Sequence, residues 1–166
     1  GLITTNLNLE KVLLTGDNSQ NIRVYDSDII KIRKSNNANQ DILSKAIHSN
    51  INSKFWESQP SISADGNRLF FVSNRDGGFG GKDIWMSYKK LSGEWSTPIN
   101  LGIKINTSKD EISPFIHFDN KTLYFSSKGH LGMGGFDVFY SKLSKSGDWN
   151  EVKNIGFPIN SHLDEN

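Results

Sequence analysis

The chain has 166 residues, 35% of them hydrophobic, and a formal charge of +1. It is long enough to bury a core, and it lacks the concentrated basic face that counterion release from a nucleic acid requires. Cysteine is absent, which excludes disulfides and thiolate chemistry and fits either a reducing or an oxidising compartment.

In chain order, the first residues, Gly1-Leu2-Ile3-Thr4-Thr5, show no basic stretch followed by an apolar core, so any targeting signal has been removed or lies upstream. No run approaches the ~18 apolar residues of a membrane span. Strands are expected near 10–15, 28–32 and 41–47, the last partly helical, with the polar turn Asp17-Asn18-Ser19-Gln20-Asn21 after the first. The one local basic excess, Lys31-Ile32-Arg33-Lys34, reads as a solvated strand end rather than a phosphate-binding patch.

From residue 54 onward the chain repeats itself. A constant offset of 54 pairs Glu57 with Glu111, Asp65 with Asp119, Asp83 with Asp137, Trp95 with Trp149, Asn106 with Asn160, and Glu111 with Glu165. A fixed period of that length, built of strands and turns, marks a repeat architecture. The first strand of each unit, 58–63 and 112–117, carries a proline near its beginning, where a missing N–H does least harm to a ladder. Asp65-Gly66 and Asp119-Asn120 then form a tight hairpin turn, because glycine and asparagine tolerate positive φ. The second strands, 68–73 and 122–127, are apolar on both faces, as suits a strand buried between neighbouring sheets. A glycine-rich loop leads to third strands at 83–88 and 137–142. Turns at Ser92-Gly93 and Ser146-Gly147 lead to fourth strands at 95–100 and 149–154.

Four short antiparallel strands per unit describe the blade of an all-β propeller. The expected organisation is a divergent first blade at 1–53, regular blades at 54–107 and 108–161, and the start of a further blade at 162–166, opened by Glu165. Closed propellers have typically 4–8 blades. Each blade buries its faces only against neighbours, so about three blades imply a fragment of a larger closed propeller. Self-association, or an open stack capped by something else, would also close it.

Gly77-Gly78-Phe79-Gly80-Gly81-Lys82-Asp83 and Gly132-Met133-Gly134-Gly135-Phe136-Asp137 invite ligand readings. A phosphate cradle would lead into a helix, and these loops lead into strands. The calcium nonapeptide Gly-Gly-x-Gly-x-Asp is one residue out of register and offers few carboxylates for an ion that takes 6–8 oxygens. The favoured reading is structural: the glycines supply positive φ while the aspartate accepts backbone N–H groups. Ser63-Ala64-Asp65-Gly66 begins like the Asp-box turn of sialidases but lacks its tryptophan. Glu57 and Glu111 recur at one blade position, which favours a structural role, holding the Asn-Ser or Asn-Thr loop before each of them, over a ring of acids around a channel. His48, His117, His130 and His162 lack metal-ligand spacing, and neither a Gly-x-Ser-x-Gly elbow nor His-Glu-x-x-His is present. Trp56, Trp95 and Trp149 could stack on sugars, but the last two share a repeat position and fit blade packing better. No cofactor or metal is expected.

Pro60-x-x-Ser63-x-Asp65-Gly66-x-x-Leu69-x-Phe71-x-Ser73, followed by Asp83-Ile84-x-x-Ser87, resembles the PD40 repeat of TolB-type, WD40-like propellers. The longer string, with Trp95-Ser96-x-Pro98-x-Asn100-Leu101-Gly102, Ile105-Asn106-Thr107-x-x-Asp110-Glu111 and Leu123-Tyr124-Phe125-Ser126-Ser127, is similar to a version found in Bacteroidetes cell-envelope proteins. There the propeller is often joined to tetratricopeptide repeats and an OmpA-like peptidoglycan-binding domain, and type IX secretion has components of this kind. Neither attached domain occurs here, so contact with peptidoglycan would need a domain outside these residues.

The resemblance implies a non-enzymatic scaffold in the periplasm or at the outer membrane that binds other envelope proteins, in a secretion or gliding assembly. The repeat motif that would build it comprises Asp65, Gly66, Gly80, Gly81, Asp83, Trp95, Asn106, Glu111, Asp119, Gly134, Gly135, Asp137, Trp149 and Asn160. Arg75, Asp76, Phe79, His130, Leu131 and Met133, the variable loop tips, are the candidate partner contacts, since exposed apolar loop residues favour recognition. The alternatives are the propeller of a glycoside-acting enzyme with converging carboxylates, a glycan-binding lectin, or the gating propeller of a peptidase.

Overall fold

Apolar and β-branched runs set off by glycine and aspartate turns leave the chain little choice but strands, and every element among the described residues is a strand. The computed structural model describes residues 51–165 together with two strands of the preceding fifty residues. Those two are β1 (Ile30–Arg33) and β2 (Leu43–Ala46), paired antiparallel with Ile30 opposite Ala46. The segment expected to be partly helical is thus a strand at its centre. The expected strand at 10–15 and its polar turn lie outside the described residues.

Two four-stranded antiparallel sheets follow. The first holds β3 (Glu57–Ile62), β4 (Arg68–Ser73), β5 (Asp83–Tyr88) and β6 (Ile99–Asn100), in that order. The second repeats it with β7 (Glu111–Ile116), β8 (Thr122–Ser127), β9 (Asp137–Lys142) and β10 (Lys153–Asn154). No helix among the described residues is long and apolar enough to cross a membrane.

Three local details differ from the sequence reading, each for a physical reason. The prolines do not merely sit early in their strands. Gln59 and Ser113, the residues before them, take φ values of 52° and 53°, and the ladder slips between Ser58 and Ser61 and between Ile112 and Phe115. The proline is accommodated in a bulge, where no ladder bond is needed from it. The Asp65-Gly66 hairpin is a longer loop: the Ser63 N–H donates to the Arg68 carbonyl at 2.9 Å, and only Gly66 is left-handed, at φ 71°. Asp65 keeps a conventional φ because its Oδ1 accepts from the Asn67 N–H at 3.0 Å. The fourth strands are broken. The Ser87 hydroxyl donates to the Ser96 carbonyl at 2.7 Å, and the Ser141 hydroxyl donates to the Asn150 carbonyl at 2.7 Å. A side chain thereby replaces the ladder, leaving only a bridge at each tryptophan and a two-residue strand beyond it.

The core lies between the sheets. On the first sheet, Phe70, Ile84 and Ile105 face the second sheet's Ile116, Leu123, Phe125, Phe139 and Trp149. Phe70 meets Trp149 edge-on, with ring centroids 6.1 Å apart. The first sheet's other face gathers Leu69, Phe71 and Trp85 against Ile51. These positions correspond: Leu69 to Leu123, Phe71 to Phe125, Trp85 to Phe139, and Ile51 to Ile105. A doubly apolar second strand is therefore used on both sides, and β7 lies against β3, β4 and β5.

Candidate functional site

Each glycine-rich loop is wound around one buried carboxylate at the start of its third strand. Asp83 accepts from the Phe79 N–H at 2.5 Å and the Gly80 N–H at 3.0 Å. Asp137 accepts from the Met133 N–H at 2.9 Å and the Gly134 N–H at 3.0 Å. The carboxylate fixes the loop by accepting its backbone N–H groups.

The glycines do a different job from the one expected of them. Of those in the two loops, only Gly77 has a left-handed φ, at 89°. Gly78 and Gly132 are bare because the loop's own Asp83 or Asp137 carboxylate lies against them, and Gly80, Gly81, Gly134 and Gly135 because the next unit passes against them. A Cβ on Gly80 would overlap the Lys109 carbonyl, and one on Gly134 would overlap the Leu163 carbonyl. The loop and the passing segment are then hydrogen-bonded. The Lys82 N–H donates to Asp110 Oδ1 at 3.0 Å, and the Glu111 N–H returns to the Lys82 carbonyl at 2.8 Å. Phe136 repeats this with Asp164 at 2.7 Å, and Glu165 with Phe136 at 2.7 Å. Gly81 and Gly135 lie directly under those aspartates. This clasp runs from one sheet's loop to the residues that open the next unit.

Asn106 and Asn160 extend each sheet by imitating a strand with a side chain. Asn106 Oδ1 accepts from the Ile84 N–H at 2.8 Å while its Nδ2 donates to the Ile84 carbonyl at 3.0 Å. Asn160 does the same to Val138, with both bonds at 2.8 Å. A buried amide with both ends matched is rigid and costly to replace.

Glu57 and Glu111 are fully buried. Glu111 accepts from the Thr107 N–H at 2.8 Å, the Thr107 hydroxyl at 2.7 Å and the Ser127 hydroxyl at 2.7 Å. Glu57 receives the matching bonds from Ser53 and Ser73, and in addition the Arg75 guanidinium at 3.0 Å. Burial pushes the Glu111 carboxyl above its ordinary 4.5, opposed by the hydrogen bonds from Thr107 and Ser127 and by the His130 side chain. The folded chain therefore holds this proton more tightly than the unfolded one. Its contribution to stability is complete below pH 4.5 and is lost as the pH rises through the raised folded value. Urea titrations should accordingly show the stability difference between wild type and Glu111→Gln narrowing as the pH climbs above that point; a difference that widens would refute the assignment.

Asp76, Phe79, Leu131 and Met133 are exposed, while Arg75 and His130 turn inward. Arg75 Nη2 donates to the Ile51 carbonyl at 2.5 Å, and His130 Nε2 bonds the equivalent carbonyl of Ile105 at 2.9 Å. Each thereby closes the carbonyl of the isoleucine two residues before Ser53 or Thr107. Trp149 is buried and Trp95 packs against the cluster of Ile51, Leu69, Phe71 and Trp85. Lys82 Nζ stands 4.7 Å from the Trp56 ring centroid. His117 faces Asp119 at 3.4 Å, His162 is exposed, and His48 lies outside the described residues.

Both loops reach the segment around Thr107, so their tips share one end of the stack. Phe79 at 49% exposure, Leu131 at 95%, Met133 at 54% and Leu163 at 61% are large apolar side chains at this end. Leu163 was missed in the sequence because its repeat partner, Lys109, is polar. No protein-family model matches the chain, and no curated protein matches its sequence.

Proposed function

We propose that the chain is part of a β-propeller of the bacterial cell envelope that binds another envelope protein through the glycine-loop end. The carrying observation is the set Phe79, Leu131 and Met133, large apolar side chains on loops whose backbones are fastened to buried carboxylates, with the exposed Leu163 of the segment passing Gly134. Apolar groups on a rigid frame lose little entropy when a partner covers them. The propeller reading draws on the stacking of successive four-stranded units, and the envelope setting and the link to secretion or gliding draw on the PD40-like motifs. The acids that recur in the two described four-stranded units, Glu57, Glu111, Asp83 and Asp137, are occupied in holding loops, which favours a scaffold over a glycosidase.

A photo-crosslinking residue at Met133 should give one discrete adduct in intact cells, and one at the exposed Lys145, in the third-to-fourth-strand hairpin, should not. Equal labelling from both positions, or none from Met133, would remove this surface from consideration.

A further inference from the structure

The two faces of the second sheet are not in the same condition. The face toward the first sheet is closed, whereas the opposite face carries Tyr124, Val138, Tyr140, Ile155 and Ile159, all partly or largely exposed. Their counterparts one period earlier are Phe70, Ile84, Met86, Leu101 and Ile105, which form the first sheet's side of the core. Ile105 is 0% exposed and Ile159 is 54% exposed, although each comes after the same Gly turn and precedes the same asparagine. Position for position, this face is the surface that a following sheet covers in the preceding unit.

The recurring glutamates point the same way. Glu57 and Glu111 are the first residues of β3 and β7, and each accepts a hydroxyl from a serine sixteen positions on, Ser73 or Ser127, at the end of the second strand. Glu165 occupies the same place in the next period, and its side of the clasp is already made: its N–H bonds the Phe136 carbonyl, and the Ser161 hydroxyl donates to its Oε1 at 2.6 Å. Its Oε1 has the Ser161 hydroxyl but not the second-strand hydroxyl that Ser73 and Ser127 add at the same oxygen in the earlier units, and its Oε2, which there takes the Ser53 or Thr107 N–H, is buried without a partner among the described residues. A carboxylate buried with its acceptor positions incompletely filled is costly, and a second-strand hydroxyl at Oε1 completes the set seen at Glu57 and Glu111.

We infer that the open face of the second sheet receives a further four-stranded sheet of this same repeat, whose first strand begins at Glu165 and whose second strand supplies a serine or threonine hydroxyl to that carboxylate. The occupant presents a Leu-x-Phe face like that of Leu123 and Phe125 to Tyr124 and Tyr140. This continues the interface already formed between the first two sheets. It also differs from that interface at the first strand. There, Gln59 Oε1 accepts from the Ser113 N–H at 2.8 Å and Ser61 Oγ accepts from the Ile116 N–H at 3.0 Å; the corresponding residues on the open face are Ser113 and Phe115. The aromatic ring supplies contact where the earlier joint supplies a hydrogen bond.

The inference rests on the stacked-sheet part of the proposed function and not on partner binding. It is tested on the full chain extended after Glu165 by a copy of its own residues 112–165, so that Glu165 stands where Glu111 stands. A second version carries Ser113→Gln and Phe115→Ser in the original unit, restoring both polar acceptors. Hydroxyl-radical labelling of Tyr124, Tyr140 and Ile159 should fall to the level of Phe70 and Ile105 in at least one version, and Glu165→Gln should restore it. Labelling unchanged in both versions, or protection indifferent to Glu165→Gln, overturns the inference. Crosslinking from Met133 reads the other surface and is scored separately.

Discussion

Alanine at Gly80 is expected to be among the most damaging single-methyl changes in the chain. The added Cβ would meet the main-chain carbonyl of Lys109 and lies close to that of Thr107 as well, and neither can rotate away. Relief requires the passing segment to move, which strains the Lys82–Asp110 and Glu111–Lys82 bonds of the clasp. A cost of about 3 kcal/mol fits overpacking against backbone, or a Tm lower by roughly 6–12 °C for a chain of this size. Gly93 is the control. It has φ 85° and open space around its Cβ position, so alanine there costs only the left-handed backbone penalty, about 1–2 kcal/mol. Equal losses at the two sites would mean that conformational freedom, not close approach, explains the loop glycines.

Glu57→Gln should also cost more than Glu111→Gln. The two glutamates accept matching bonds, but only Glu57 faces a guanidinium, and the Arg75 side chain is just 12% exposed. Removing the carboxylate charge leaves that cation uncompensated in a poorly hydrated place, worth about 3–5 kcal/mol. Burial already works against the charged form of Arg75, and the Glu57 carboxylate is what opposes it. At Glu111 the loss is that of an acceptor for the hydroxyl and N–H donors, about 1–3 kcal/mol. The pair Glu57→Gln and Arg75→Met, made together, should recover part of the larger loss. A double variant as unstable as the sum of the singles would show that the ion pair contributes nothing of its own.

Much of the fold was legible because the period is strict. With Asp65 at 54 residues from Asp119, the same turns had to recur, and β4, β5, β8 and β9 fall where apolar runs and glycine loops place them. What the sequence concealed were features that need a third dimension. Gly80 and Gly134 look like turn residues until the carbonyls of Lys109 and Leu163 are placed beside them. Arg75 looks like an exposed loop tip because its partner Glu57 is eighteen residues away and its other acceptor, Ile51, belongs to the segment before the sheet. The broken fourth strand was hidden for a similar reason, since nothing in Ser87 or Ser141 announces a hydroxyl that stands in for a ladder bond. Asn106 and Asn160 stood out as repeat residues, but their imitation of a strand depends on the position of Ile84 and Val138.

The measurement that bears most directly on the central claim is the native mass of the chain purified from the cells that make it, compared with the Phe79→Ala, Met133→Ala variant prepared the same way. A stack of sheets that serves to bind another protein predicts a discrete complex with a second polypeptide, lost in the variant while its thermal unfolding stays unchanged. A species containing this polypeptide alone, whether single or self-associated and identical for wild type and variant, would contradict it and turn attention to a ligand held between the sheets.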